Sequence, residues 1–201
     1  MSTTNINTMR NQRMQELKGA ERKAAKPLLY IAMVSIVMLF SGLTSAYIVR
    51  ADNGNWLVFD LPKALFVSTG LVICSSIALL FAQFAIRRQH VWILNLGLWS
   101  AFGLGIGFVF SQMESWHQLT QMGIYFIGKQ SNASGSFLYL LALVHLLHLF
   151  GGLIALLVTS INSLRGKYSA ESHLGFSLCV IYWHFLTLLW IYLFLFLYFY
   201  R

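Results

Sequence analysis

Three histidines carry the clearest chemical signal in this 201-residue chain. His145 and His148 lie in one long apolar run, and His184 lies in the next. On a helix, residues i and i+3 share a face. At a rise of about 1.5 Å per residue, His145 falls roughly 14 Å from one end of its run and His184 about 15 Å from an end of its own. Both levels are near mid-depth of a bilayer, where polar groups are costly and therefore point to function. Two imidazoles on different helices at one level are a ligand set for a b-type haem. A non-haem iron or zinc site would add carboxylates, and the apolar runs contain none. The alternative is neutral imidazoles hydrogen-bonded within a helix bundle.

Other polar side chains sit at the borders. Glu114 and His117 follow the third apolar run, where a solvated or paired role competes with a proton-relay or docking role. Arg165 and Lys167 follow the fourth run. They suit lipid phosphates as charge-assisted donors, or they are ordinary topology charges. A proton pump needs titratable groups across the membrane. No such series occurs, so the chain is not expected to pump protons alone. No phosphate loop, nucleophile elbow or HExxH motif is present. Asn132-Ala-Ser134 fits a glycosylation sequon, a weak signal by itself.

The elements that must position these groups follow from composition. The chain is 58% hydrophobic and only 10% charged, with mean hydropathy +0.67. Soluble domains are about 45–50% apolar and about 25% charged. A soluble enzyme, a nucleic-acid-binding domain, a disordered segment and a disulfide scaffold are all excluded. Five charge-free apolar segments, roughly 28–49, 64–86, 92–112, 136–160 and 174–200, are each long enough to span a bilayer. They are apolar all round, whereas strands of a membrane barrel alternate. The expectation is an all-α, polytopic five-transmembrane-helix bundle over 28–201, preceded by a basic tail or short helix over 1–27.

Charge sets the orientation. Arg10, Arg13, Lys18, Arg22, Lys23, Lys26, Arg87, Arg88, Arg165 and Lys167 fall on one side, against Arg50, Lys63, Lys129 and Arg201 on the other. Cytoplasmic loops carry the basic excess, so the N-terminus is expected inside and the C-terminus outside. The first span reads as an uncleaved anchor. The net charge of +8 is thus a topology signal beside anionic lipid rather than a nucleic-acid surface. Trp92 and Trp116 suit the two interfaces of the third span. Cys74 and Cys179 are expected as buried free thiols. Gly103 and Gly107, and Gly42 and Ala46, are spaced for close helix contact, within the bundle or with another subunit.

Residues 135–152 (GSFLYLLALVHLLHLFGG) and 172–190 (SHLGFSLCVIYWHFLTLLW) resemble subunit III of haem–copper oxidases. The shared positions are Gly135, Ser136, His145, His148 and Gly152, then Tyr182-Trp183-His184-Phe185 and Trp190. Residues 59–76, with an acidic-x-Pro entry, a Thr and a Ser pair, and residues 35–47 extend the likeness. It covers about 28–200 and matches the short form that lacks two N-terminal helices.

The resemblance implies a non-catalytic core subunit of a respiratory cytochrome c oxidase in a bacterial cytoplasmic membrane. Such a subunit has no catalytic or metal-binding residue of its own. Haems and copper belong to partner subunits I and II, subunit I is the direct contact, and phospholipid is held between helices. By the same resemblance His145, His148 and His184 are structural. Three departures stand out: Ile36, Thr187 and Ser177 occupy positions that are often acidic in the family. Equivalent subunits of a quinol oxidase or a nitric-oxide-reductase-associated homologue remain open. An autonomous b-type cytochrome is the rival from another class, and a small transporter, which would show repeats and broken helices, is a third.

Overall fold

The computed structural model describes residues 3–52, 60–88, 90–127, 132–166 and 174–200. Among them are five helices: α1 (Thr3–Ala51), α2 (Lys63–Arg87), α3 (Val91–Gln121), α4 (Ala133–Leu164) and α5 (Leu174–Phe199). All five are long and apolar enough to cross a membrane. The expected all-helical, five-span bundle is therefore present.

Helices satisfy every backbone polar group internally, which lipid requires. Local signals set their ends. Pro62 stands at the N-cap of α2, where a missing N–H costs nothing. The Asn132 side chain accepts the Ser134 N–H at the start of α4. Helix α3 continues nine residues beyond the charge-free segment that ends at 112. Polar Ser, Gln, Glu, His and Thr there still favour or tolerate helix. It stops where Gly123 takes a positive φ of 78°. Gly123 N–H then reaches the Thr120 carbonyl and Ile124 N–H the Leu119 carbonyl, the paired bonds of a Schellman cap. Helix α1 runs on through Pro27, whose lack of an N–H removes one helical bond.

Helices α2 to α5 form a closed ring. Helix α2 packs most extensively on α3, α3 on α4, α4 on α5, and α5 returns to α2. Helix α1 lies outside the ring, touching α4 and α5. Neighbours in the ring are antiparallel. Asn95 meets Ser163 at one end of the α3–α4 pair, while Trp116 meets Tyr139 towards the other. Helix α1 runs parallel to α5: Thr44 meets the Tyr192 hydroxyl, and Tyr47 donates to the Tyr200 carbonyl.

Small residues bring the ring together at particular levels. A Cβ on Gly97 would lie 2.8 Å from the Ala82 Cβ and 2.9 Å from the Ala78 carbonyl oxygen. Helices α2 and α3 therefore approach backbone to backbone there. The Gly103–Gly107 pair is not the internal seam. Gly103 has nothing within 4 Å of a built Cβ, and Gly107 meets only Leu71 at ordinary contact distance. Gly105, between them, faces inward instead. Gly42 on α1 is likewise open. Cys179 is buried as expected, but Cys74 is exposed on the outer face of α2. An apolar thiol there costs nothing beside lipid, so span membership did not imply burial in protein.

Candidate functional site

Of the residues singled out from the sequence, Trp183, His184 and Trp190 lie on the α2–α5 seam, and His145, His148 and Gly152 on the α4–α5 seam. Trp183 and Trp190 stand seven apart on α5, so both point one way. The Trp183 indole N–H donates to Ser75 Oγ at 2.9 Å, and the Trp190 indole N–H donates to Thr69 Oγ1 at 3.1 Å. Ser75 and Thr69 in turn donate to their own helix, at the Val72 and Leu65 carbonyls. Each hydroxyl is thus filled on both sides, with its hydrogen on one carbonyl and its oxygen on an indole.

The Trp183 ring is clasped by two glycines from other helices. A Cβ on Gly105 of α3 would lie 2.7 Å from its Cη2, and one on Gly152 of α4 would lie 3.4 Å from its Cε3. The ring therefore requires backbone alone on the Gly105 side, while the tight neighbour of Gly152 is Leu186, whose Cδ1 would lie 2.9 Å from an added Cβ. This gives Gly152 a packing role. Gly135, at the start of α4, has one too, because a Cβ there would collide with the Ile124 side chain. Ser136 donates to the Phe126 carbonyl at 2.8 Å and ties the α3–α4 loop to α4.

The three histidines do not share one site. His145 is fully buried, with its ring centroid 5.0 Å from Trp190, 6.0 Å from Phe108 and 6.4 Å from Phe40. Neither ring nitrogen has a hydrogen-bond partner. His148 donates from Nδ1 to the Val144 carbonyl, one turn back on its own helix, at 2.7 Å. Its backbone carbonyl accepts the Tyr182 hydroxyl.

His184 faces α2 instead, where Nδ1 is bonded to the Ser76 hydroxyl. His145 lies at the level of Trp190, six residues along α5 from His184, an axial offset of about 9 Å. The pairing of imidazoles at one level that the rival b-type haem reading needs is therefore not formed, and the residues do not fit a haem held between His145 and His184. Among the described residues, no three His, Cys, Asp or Glu side chains gather as a metal site.

The border residues are solvent-facing. Glu114 and His117 are exposed, and Glu114 accepts a hydrogen bond from Gln118 at 3.0 Å. Arg165 is the exposed C-cap of α4. Lys167 lies outside the described residues. Thr187 is buried and donates to the Trp183 carbonyl. Ile36 packs against the core from α1.

Several bonding roles were not legible in the sequence, including those of the Thr and the Ser pair noted in 59–76. Ser75 and Thr69 sit six apart on α2 and face two tryptophans seven apart on α5; matched spacing on two polar–aromatic faces was the available signal. Gln112, buried on α3 and donating to Ser68 Oγ at 3.1 Å, is a further polar clamp. Nothing in the local pattern marked Gly105 over Gly103.

Residues 58–201 match the family described as "Cytochrome c oxidase subunit III". A protein from Thermostichus vulcanus named "Cytochrome c oxidase subunit 3" is 29% identical over 175 residues, covering 85% of this chain and 84% of that one. A "Probable cytochrome c oxidase subunit 3" from Nocardia farcinica is 30% identical over 196 residues, covering 94% of each. Another from Mycobacterium tuberculosis is 32% identical over 173 residues, covering 83% of each. With the tryptophan, histidine and glycine positions each given a place in one helical bundle, the chain belongs to the cytochrome c oxidase subunit III family.

Proposed function

We propose that the chain serves as subunit III of a respiratory cytochrome c oxidase and works there as a scaffold. In this reading the haems, the copper and the oxygen chemistry reside in subunits I and II. This chain packs against subunit I, stabilises it and orders phospholipid at its margin. The observation that carries the reading is how the deep polar groups are used. Trp183, Trp190, Gln112 and His148 bond to hydroxyls and carbonyls within the bundle. That use sets helix positions, and among the described residues no series of titratable groups crosses the bundle.

Orientation and location belong to the same proposal. In this reading the end of the bundle that carries the basic N-terminal segment, Arg88 and Arg165 faces the bacterial cytoplasm and the C-terminus lies outside, a reading supported by the excess of basic residues on that side. Arg165 and Lys167 would then meet anionic headgroups on the inner side. Glu114 and His117, exposed at the opposite end, would contact partner or solvent there.

Co-purification from native membranes tests the proposal. The expected companions are a large haem-bearing subunit and a second subunit with copper ligands. Isolation of the chain with no haem-bearing subunit would overturn it. A companion lacking the copper ligands would move the assignment to a quinol oxidase.

A further inference from the structure

Helix α1 is the longest of the five. It runs unbroken from Thr3 to Ala51, through 49 residues. Two contacts fix its register against α5: Thr44 stands beside Tyr192, and Tyr47 beside Tyr200. Counting back along both helices, Leu174, where α5 begins, lies level with α1 residues 21–26. The N-terminal part of α1 therefore continues for about 20 residues, roughly 30 Å, beyond that end of the bundle.

This projecting stretch is held by neither packing nor propensity. By its register it stands clear of α4 and α5, and among the described residues α1 packs on no other helix. Asn5, Asn7, Thr8, Asn11 and Gly19 are weak helix formers. Most helical stability in proteins comes from a packed face. The charge here is also one-sided: residues 3–26 hold six basic residues against Glu16 and Glu21. Arg10 and Arg13 are exposed, as are Lys23 and Lys26. Each pair is three apart, so like charges are neighbours on the helix surface. An unpacked helix with such pairs gains most from a surface of opposite sign.

Lipid headgroups and acidic protein both offer that sign, and height separates them. The charge-free run begins at Leu28. Lys26 and Lys23 lie about 3 and 8 Å before it, at the level of the headgroups. Arg13 and Arg10 lie about 22 and 27 Å before it. A helix tilt of about 20° shortens these only to about 21 and 25 Å. The headgroup layer is about 5–7 Å deep, and its field decays within a Debye length of about 8–10 Å. Anionic lipid therefore accounts for the lysine pair and not for the arginine pair.

We propose that the projecting part of α1 docks, through Arg10 and Arg13, on an acidic, water-exposed protein surface of another subunit of the oxidase assembly. That surface stands about 20–25 Å out from the hydrocarbon. The proposal rests on the oxidase-subunit reading above. It adds an attachment outside the membrane, electrostatic in kind and separate from the apolar seams of the bundle.

The test uses the intact complex in native membranes. Arg10→Lys and Arg13→Lys keep the charge and supply an amine. A water-soluble carbodiimide then joins that amine, without a spacer, to a carboxylate paired with it. The expected product is an amide between position 10 or 13 and an Asp or Glu of another subunit of the complex. Its yield should fall several-fold between about 0.15 M and about 1 M salt. Peptide mass mapping identifies it. Products confined to Glu16 or Glu21, to lipid, to a second copy of this chain or to protein outside the complex would overturn the proposal. So would the absence of any product.

Protease access gives a second reading. A glutamyl endopeptidase cuts after Glu16 in both the unaltered chain and an Arg10→Gln/Arg13→Gln variant. Both are taken in the complex at low salt, with membrane-inserted chain measured in each. Cleavage is expected to be several-fold faster in the variant, and equal rates would overturn the docking. Co-purification of the unaltered chain with the haem-bearing subunit is scored separately. Its success without the amide sinks the docking and leaves the oxidase-subunit reading standing.

Discussion

The Trp183 indole nitrogen lies 2.9 Å from Ser75 Oγ, with the ring held between Gly105 and Gly152. One side chain thus ties α5 to α2 by a hydrogen bond and to α3 and α4 by backbone contact. Cross-helix hydrogen bonds in lipid average about 0.6 kcal/mol, whereas a buried donor left unpaired costs about 1–3 kcal/mol. Ser75→Ala removes the acceptor without altering the ring, and is expected to destabilise the purified protein by about 1–2 kcal/mol. Adding Trp183→Phe should cost less in the Ser75→Ala background than alone, a positive coupling in a double-mutant cycle. Additive effects in unfolding measurements would count against the bond.

The glycines give a paired prediction. Gly105→Ala sets a methyl against Trp183 and Leu153, and should cost about 1–3 kcal/mol as overpacking. Gly103→Ala, two residues away with open space around it, should be neutral or slightly stabilising, because alanine is the better helix former. Thermal unfolding of the two variants side by side decides the matter. Equal losses would mean that the inward face of α3 is misassigned.

His145 contributes two polar atoms with no partner to a pocket of aromatic rings. Its replacement by leucine removes an uncompensated polar burial. Stability of His145→Leu is therefore expected to hold or to rise by about 1 kcal/mol. A loss well beyond that in the same unfolding assay would reveal a bonded role for the imidazole.

Thiol chemistry reads the lipid-facing surface directly. Cys74 is exposed and Cys179 buried. In detergent solution at alkaline pH, where an accessible thiol can ionise, a hydrophobic maleimide should label Cys74 faster than Cys179 until the protein is denatured. Mass mapping before and after denaturation checks this, and early labelling of Cys179 would open the α4–α5 seam to question.

Segment 28–49 holds no carboxylate, with Ile36 after Ser35. A hydrophobic carbodiimide should leave α1 unmodified across this span. Peptide mapping checks this, and an adduct within residues 28–49 would show that a group other than a carboxylate reacts there.

The helices and their number were legible because five charge-free runs of bilayer length have few alternatives. The histidine-bearing motifs were legible as well, since polar groups stand out against leucine and phenylalanine. Their partners were not. His184 and His145 differ by one helix and by the direction each faces. Which neighbour lies there depends on helix rotation, which an all-round apolar pattern does not encode. The same loss of amphipathic contrast hid Gly105 behind the Gly103–Gly107 spacing. The extension of α3 to Gln121 was missed because charge content marks where the membrane ends and a Gly123 cap marks where the helix ends.

Among the described residues, helix α1 packs on α4 and α5, the last two helices in sequence. During synthesis the first span therefore enters the bilayer well before its binding surface does. The Tyr47 bond to the Tyr200 carbonyl joins residues 153 positions apart, so it forms only after residue 200 has been added. A chain lacking α4 and α5 leaves its first helix with no surface of this bundle to pack on.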